Sequence, residues 1–138
     1  MTKLMQDRRV MKIARAVRRA AVAMVTDFDY GMACDRSLAG ACGDVSIVLY
    51  SLLGKENCRI VGGRFSNAAL HSWVVLNNGD ILDLTATQFD SGLSGVYRTG
   101  NDPRYDEDPE VGPKEIREAW GDREWRKRLR KKAKEMLA

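Results

Sequence analysis

With 138 residues, 44% of them hydrophobic and 30% charged, the chain can bury one core without disulfide staples, and it reads as a single domain over 1–138. The longest apolar stretch free of charge, 45–54, falls well short of the ~18 residues a membrane span needs. Lys12, Arg15, Arg18 and Arg19 interrupt the first apolar run where a signal peptide would need it unbroken, so a cytosolic protein with no membrane association is expected.

The net charge of +4 is unevenly held. Residues 1–26 carry +6, residues 27–113 carry −7 and residues 114–138 carry +5. In the first segment Val10, Ile13, Ala14, Val17, Ala21 and Met24 recur at steps of three and four, which predicts one amphipathic helix over about 3–25 with a basic outer face. A loop with Asp27, Asp29, Gly31 and Asp35 follows. Gly40-Ala41-Cys42-Gly43-Asp44 then leads into Val45, Val48, Leu49, Leu52 and Leu53, again at helical spacing and stopped by Gly54, so Cys42 sits at a helix N-terminus.

Beyond Gly54 the pattern turns to strands. Cys58-Arg59-Ile60-Val61, His71-Ser72-Trp73-Val74-Val75-Leu76 and Ile81-Leu82-Asp83-Leu84-Thr85 are rich in β-branched and aromatic residues. Asn77-Asn78-Gly79-Asp80 has hairpin turn chemistry between the second and third. Gly62-Gly63 is no phosphate loop and is expected to mark a bend or bulge. Residues 91–113 hold all three Pro and an acidic cluster and are expected to form an irregular covering loop. A basic helix over about 114–137 follows, led by Pro113, with Gly121-Asp122 as the break, Ile116/Trp120 before it and Trp125/Leu129/Ala133/Met136 after it.

His71 is the only His in the chain, and Asp83 lies on the strand paired with it. Whether they touch depends on hairpin register. A three-residue loop with Gly79 in the left-handed conformation makes paired numbers sum to 156, which puts His71, Trp73, Ile81, Asp83 and Thr85 on one face. Asp83 is then the diagonal neighbour of His71, with Cβ atoms roughly 7 Å apart. A two-residue turn shifts the sum to 157 and points the two side chains to opposite faces. Given the first register, Cys42, His71 and Asp83 make a workable triad. The helix N-terminus and an adjacent imidazolium favour a Cys42 thiolate, His71 moves the proton, and Asp83 fixes the imidazole. Asp44, two residues on, would oppose the thiolate if it pointed inward.

Leu38-Ala39-Gly40-Ala41-Cys42-Gly43, His71-Ser72-Trp73-Val74 and Asp83-Leu84-Thr85 resemble the Cys, H-x-W and D-x-T signatures of the transglutaminase-like branch of papain-fold cysteine enzymes, in the same order. The run from Gly79 through Asp83 to Gln88-Phe89 is similar to small bacterial and phage members, with their D-x-T-x-x-Q-F pattern. The resemblance covers about 38–90. It implies an α+β fold, papain-like or transglutaminase-like, in which the Cys helix packs on an antiparallel sheet carrying His and Asp. It also implies acyl transfer on an amide bond of a protein or peptide, as a peptidase, amidase, deamidase or transglutaminase, in a bacterial or phage-infected cytoplasm. The catalytic residues it names are Cys42, His71 and Asp83. Ile81 stands where larger transglutaminases often have Trp, and no large accessory domains are present, which weighs against cross-linking.

Other residues have weaker claims. Gln88 can donate to an oxyanion or simply bond backbone, and Trp73 can shield the His-Asp pair or simply pack. Cys34 lies in an acidic loop and Cys58 begins a strand; no Cys/His spacing suits zinc, and neither metal nor cofactor is expected. The alternative to an enzyme is a catalytically inactive module of the same fold that contacts a host protein or nucleic acid through the basic N- and C-terminal helices.

Overall fold

The structure is a computed structural model that describes residues 2–27, 38, 41–67, 69–119 and 121–138, the side chains of Thr26, Asp27, Ala69 and Ala119 excepted. Cys34 and Trp120 lie outside the described residues. The chain runs through α1 (Lys3–Asp27), α2 (Cys42–Leu53), β1 (Cys58–Phe65), β2 (Ala69–Leu76), β3 (Ile81–Asp83), a 3-10 turn (Ala86–Gln88), β4 (Tyr97–Thr99), β5 (Tyr105–Asp108), α3 (Pro113–Ala119) and α4 (Arg123–Leu137). It is an α+β fold, and no helix of the described residues is long and apolar enough to cross a membrane.

The helices form where the apolar period is helical. Thr2 caps α1 by accepting from the Met5 N–H at 3.1 Å. The helix extends two residues past its expected end and buries Ile13, Ala14, Val17, Ala20, Ala21 and Met24. Asp122 caps α4 with its carboxylate on the N–H groups of Glu124 and Trp125, and Trp125, Leu129 and Ala133 face the core. Met136, expected on that face, is exposed instead. α1, α2 and α4 pack on one another and enclose the main core with Val74, Leu76, Leu82 and Leu84 from the sheet.

The sheet is antiparallel in the order β4-β3-β2-β1-β5. β2 and β3 pair Val74 with Leu82 and Val75 with Ile81, the register in which numbers sum to 156. The turn supplies the reason. Gly79 adopts φ +92°, its N–H bonds Leu76 O at 2.9 Å, and Leu76 N–H bonds Asp80 O at 2.8 Å, which closes a three-residue loop.

Two expectations are corrected. The stretch 91–113 is not wholly irregular, because β4 and β5 lie within it and extend the sheet from three strands to five. Both are short edge strands, and the acidic sequence of β5, Tyr-Asp-Glu-Asp, pairs only because β1 offers it a partner. Gly62 and Gly63 form no bend or bulge. They lie in regular pairing, opposite Ser72 and His71 on one side and Asp108 and Glu107 on the other. A Cβ on Gly63 would collide with the carbonyl oxygen of Asp106, so glycine there permits the close approach of β5.

The sheet is strongly curled. In a flat sheet β5 and β3 would stand about 14 Å apart and the edges β4 and β5 about 19 Å. Yet Tyr105 on β5 hydrogen-bonds Asp83 on β3 at 2.7 Å, and its ring stacks on Tyr97 of β4 at 6.3 Å between centroids. The concave face therefore wraps a second core of Val61, Trp73 and Val75, against which Ile81 and Tyr105 pack.

Candidate active site

The first residue of α2 is Cys42, half-buried with a free thiol. Ala41, the residue before it, provides no side-chain cap, so the first N–H groups of α2 lack the usual side-chain acceptor. One turn into the helix, Ser46 Oγ donates to Ser72 O at 3.0 Å, which fixes α2 along β2 and brings the Cys42 end beside His71.

His71 is fully buried. Its Nε2 meets Asp83 Oδ2 at 2.6 Å, as the 156 register requires. Asp83 accepts two further bonds on Oδ1, from the Thr85 N–H at 2.9 Å and Thr85 Oγ1 at 3.3 Å. That explains the D-x-T spacing mechanically, because an Asp side chain reaches the backbone two residues on. The fourth donor is Tyr105 Oη, at 2.7 Å on Oδ2. Burial and the neighbouring Asp83 charge push the Tyr105 pKa far up, so the phenol stays protonated and keeps donating.

The other ring nitrogen, Nδ1, is buried with no partner in full hydrogen-bond geometry among the described residues. Cys42 nevertheless lies near enough to act on the ring. Burial opposes charge on His71, but Asp83 by charge and hydrogen bond, and then Cys42 by weaker contact of both kinds, outweigh it and raise the pKa to about 9. The imidazole thus has a carboxylate on Nε2 and the Cys42 thiol nearby. Phe89 packs edge-on against it at 4.7 Å, Trp73 lies tilted at 5.7 Å, and Phe65 and Tyr105 each stand at 6.3 Å. The sequence placed Trp73 on this face and marked Phe89 within the 83–89 motif; Phe65 and Tyr105 come from residues with no local signal.

Asp44 does not face the thiol. Two residues along a helix is a turn of about 200°, and its buried carboxylate accepts from the Asp122 N–H and pairs with Arg126 Nη1 at 3.1 Å. Gly121, at φ +122°, gives that carboxylate room, because a Cβ there would overlap it. Gln88 ends the 3-10 turn half-buried, with its N–H on Thr85 O at 3.1 Å and Phe89 as its neighbour. Arg18 of α1 donates to Leu84 O at 2.7 Å and Thr87 Oγ1 at 3.2 Å, which ties that helix to the chain just after Asp83. Cys58 is buried away from this group, and burial, then Glu56, push its thiol up to about 11.

Among the described residues no group of three or more His, Cys, Asp and Glu side chains is placed to hold a metal ion. No protein-family model, curated protein or solved structure matches the chain. The functional reading therefore rests on this geometry and on the sequence motifs alone.

Proposed function

We propose that the protein is a cysteine-dependent acyl-transfer enzyme acting on an amide bond of a protein or peptide, with Cys42 as nucleophile, His71 as general acid and base, and Asp83 as the group that holds the imidazole. The observation that carries this reading is the placement of the buried His71 ring, with Nε2 on Asp83 at 2.6 Å and Cys42 near enough to act on the imidazole.

The chemistry follows from those roles. The Cys42 thiolate attacks the amide carbon, and the C=O electron pair moves onto oxygen, which first-turn N–H groups of α2 can hold. The imidazolium of His71 gives its proton to the departing nitrogen as the C–N bond breaks and a Cys42 thioester remains. Neutral His71 then takes a proton from water as it attacks the thioester, and the acid leaves with the thiolate restored. An amine in place of water gives transfer instead. Hydrolysis is the default, since Cys42 is only half-buried and transfer to an amine would need water kept out.

The transglutaminase-like, papain-like assignment belongs to the same proposal. A Cys helix beside an antiparallel sheet that carries His then Asp supports it, as does the 83–89 motif, in which Asp83, Thr85 and Phe89 all touch the site or each other. A cytoplasmic location and a protein or peptide substrate are proposed with it.

Incubation with a mixed peptide digest and a primary-amine probe tests the reading. Cleavage, deamidation and amine incorporation each leave a distinct mass change, and any such change should vanish in Cys42→Ala. No change with the parent protein, or a change that survives in Cys42→Ala, would overturn it.

A further inference from the structure

Two rows of cations stand outside the site and are not used by the chemistry above. On α4, Arg123, Lys127, Arg130 and Lys134 follow one another at steps of four, three and four; on α1, Arg8, Lys12, Arg15 and Arg19 do the same. That spacing keeps each set on one side of its helix, and all eight residues are exposed. Each row spans about 17 Å. The two helices pack on each other and turn their apolar sides into the same core, so both rows lie on the outer surface of one helical layer.

The cations are not balanced where they stand. Among the described residues only Lys127 of the eight has an ion pair, with Glu124 at 3.8 Å between two exposed side chains, and Arg130 Nε donates to Ser51 Oγ at 2.9 Å. A helix face built only for solubility intersperses both signs at steps of three and four. The acids of α4, Glu124 and Glu135, instead lie off the row, about 100° to 120° around the helix from Arg123.

We propose that these rows bind the phosphate backbone of nucleic acid, without reading sequence. A duplex offers one negative charge per about 1.7 Å of axis, and a row of four cations meets it with charge alone. A lipid surface fits less well, because membrane-lying helices insert their apolar side, and Trp125, Leu129 and Ala133 are already committed to the core. An acidic protein partner fits less well too. Protein interfaces centre on aromatic anchors and are poor in Lys, and neither row includes an aromatic residue.

The test is a titration of a fluorescent DNA duplex of mixed sequence over a range of salt, with the full chain. Four to eight phosphate contacts should give a slope of log K against log salt of roughly −4 to −7. Arg123→Gln/Lys127→Gln/Lys134→Gln, which spares the Ser51 contact of Arg130, should weaken that slope by about 3, and Arg8→Gln/Lys12→Gln/Arg15→Gln/Arg19→Gln should do so by about 4. Cys42→Ala should bind like the parent, which keeps this result separate from that of the proposed activity. Absence of salt-dependent binding, or a slope that neither charge variant moves, would overturn the proposal. Tighter binding to vesicles rich in phosphatidylserine, or to polyglutamate, than to the duplex would overturn it as well.

Discussion

Tyr105 Oη donates to Asp83 Oδ2 at 2.7 Å, on the same oxygen that His71 Nε2 meets at 2.6 Å. The phenol draws off part of the charge that would otherwise act on the imidazole, and it pins the carboxylate so that Oδ2 cannot swing away. Tyr105 is therefore a positioning residue for His71. In Tyr105→Phe the carboxylate has one donor fewer and more charge to offer the ring, so the pKa of His71 should rise above its value of about 9. Nuclear magnetic resonance titration of the single His reads this directly. If the enzyme reading holds, kcat should drop about tenfold with KM little changed. An unshifted His71 titration would show that the hydroxyl only fills space.

The same pair sets a pH dependence of stability. His71 has a folded pKa of about 9 against 6.5 unfolded, so between those values the folded protein holds more proton than the unfolded one. Stability should then fall as pH rises through that window, be complete below it and level off above, by about 3 kcal/mol in all. Cys58, pushed up to about 11, adds its own decline only once pH exceeds the ordinary thiol range. Urea unfolding followed from about pH 6 to about pH 8 isolates the His71 contribution, and His71→Asn should flatten it.

Two glycines should respond differently to alanine. At Gly79 nothing lies within 4 Å of an added Cβ, so Gly79→Ala meets only the cost of φ +92°, about 1 kcal/mol. At Gly63 the Cβ meets the Asp106 carbonyl, and β5 must move. Gly63→Ala should cost about 2 kcal/mol or more, and it should also disturb the His71 titration, because β5 carries Tyr105. Thermal unfolding of both variants checks the contrast.

Cys42 and Asp44, two residues apart, should separate chemistry from structure. Asp44 is fully buried, pairs with the partly buried Arg126 and accepts from the Asp122 N–H, so Asp44→Ala leaves both donors without their acceptor and should cost roughly 3 kcal/mol. Cys42 is half-buried and its removal strands no charge, so Cys42→Ala should alter stability by less than about 1 kcal/mol.

What was legible in the sequence is local. The helical period of Val10 to Met24 marked α1, and Asn77-Asn78-Gly79-Asp80 marked the turn while leaving two registers open, of which the structure adopts the one that brings His71 to Asp83. What was hidden depends on the curl of the sheet. Tyr105 sits in an acidic run that looks like surface loop, and only the wrapping of β5 toward β3 aims its hydroxyl at Asp83. Phe65 likewise closes on His71 from the neighbouring strand β1, with no motif to mark it. The Gly63 glycine was misread because its reason, the close passage of Asp106, is a tertiary contact that no neighbour in sequence reveals.

The central claim is that His71 holds a reactive Cys42, and the most direct test is the rate of alkylation by iodoacetamide, resolved by peptide mass, across pH. A Cys34→Ser background leaves two thiols, with the buried Cys58 as the internal slow reference. Across that range Cys42 should react much faster than Cys58, and His71→Asn should remove most of the difference. Were Cys42 in the otherwise unaltered protein to react no faster than it does in His71→Asn, the claim would be contradicted.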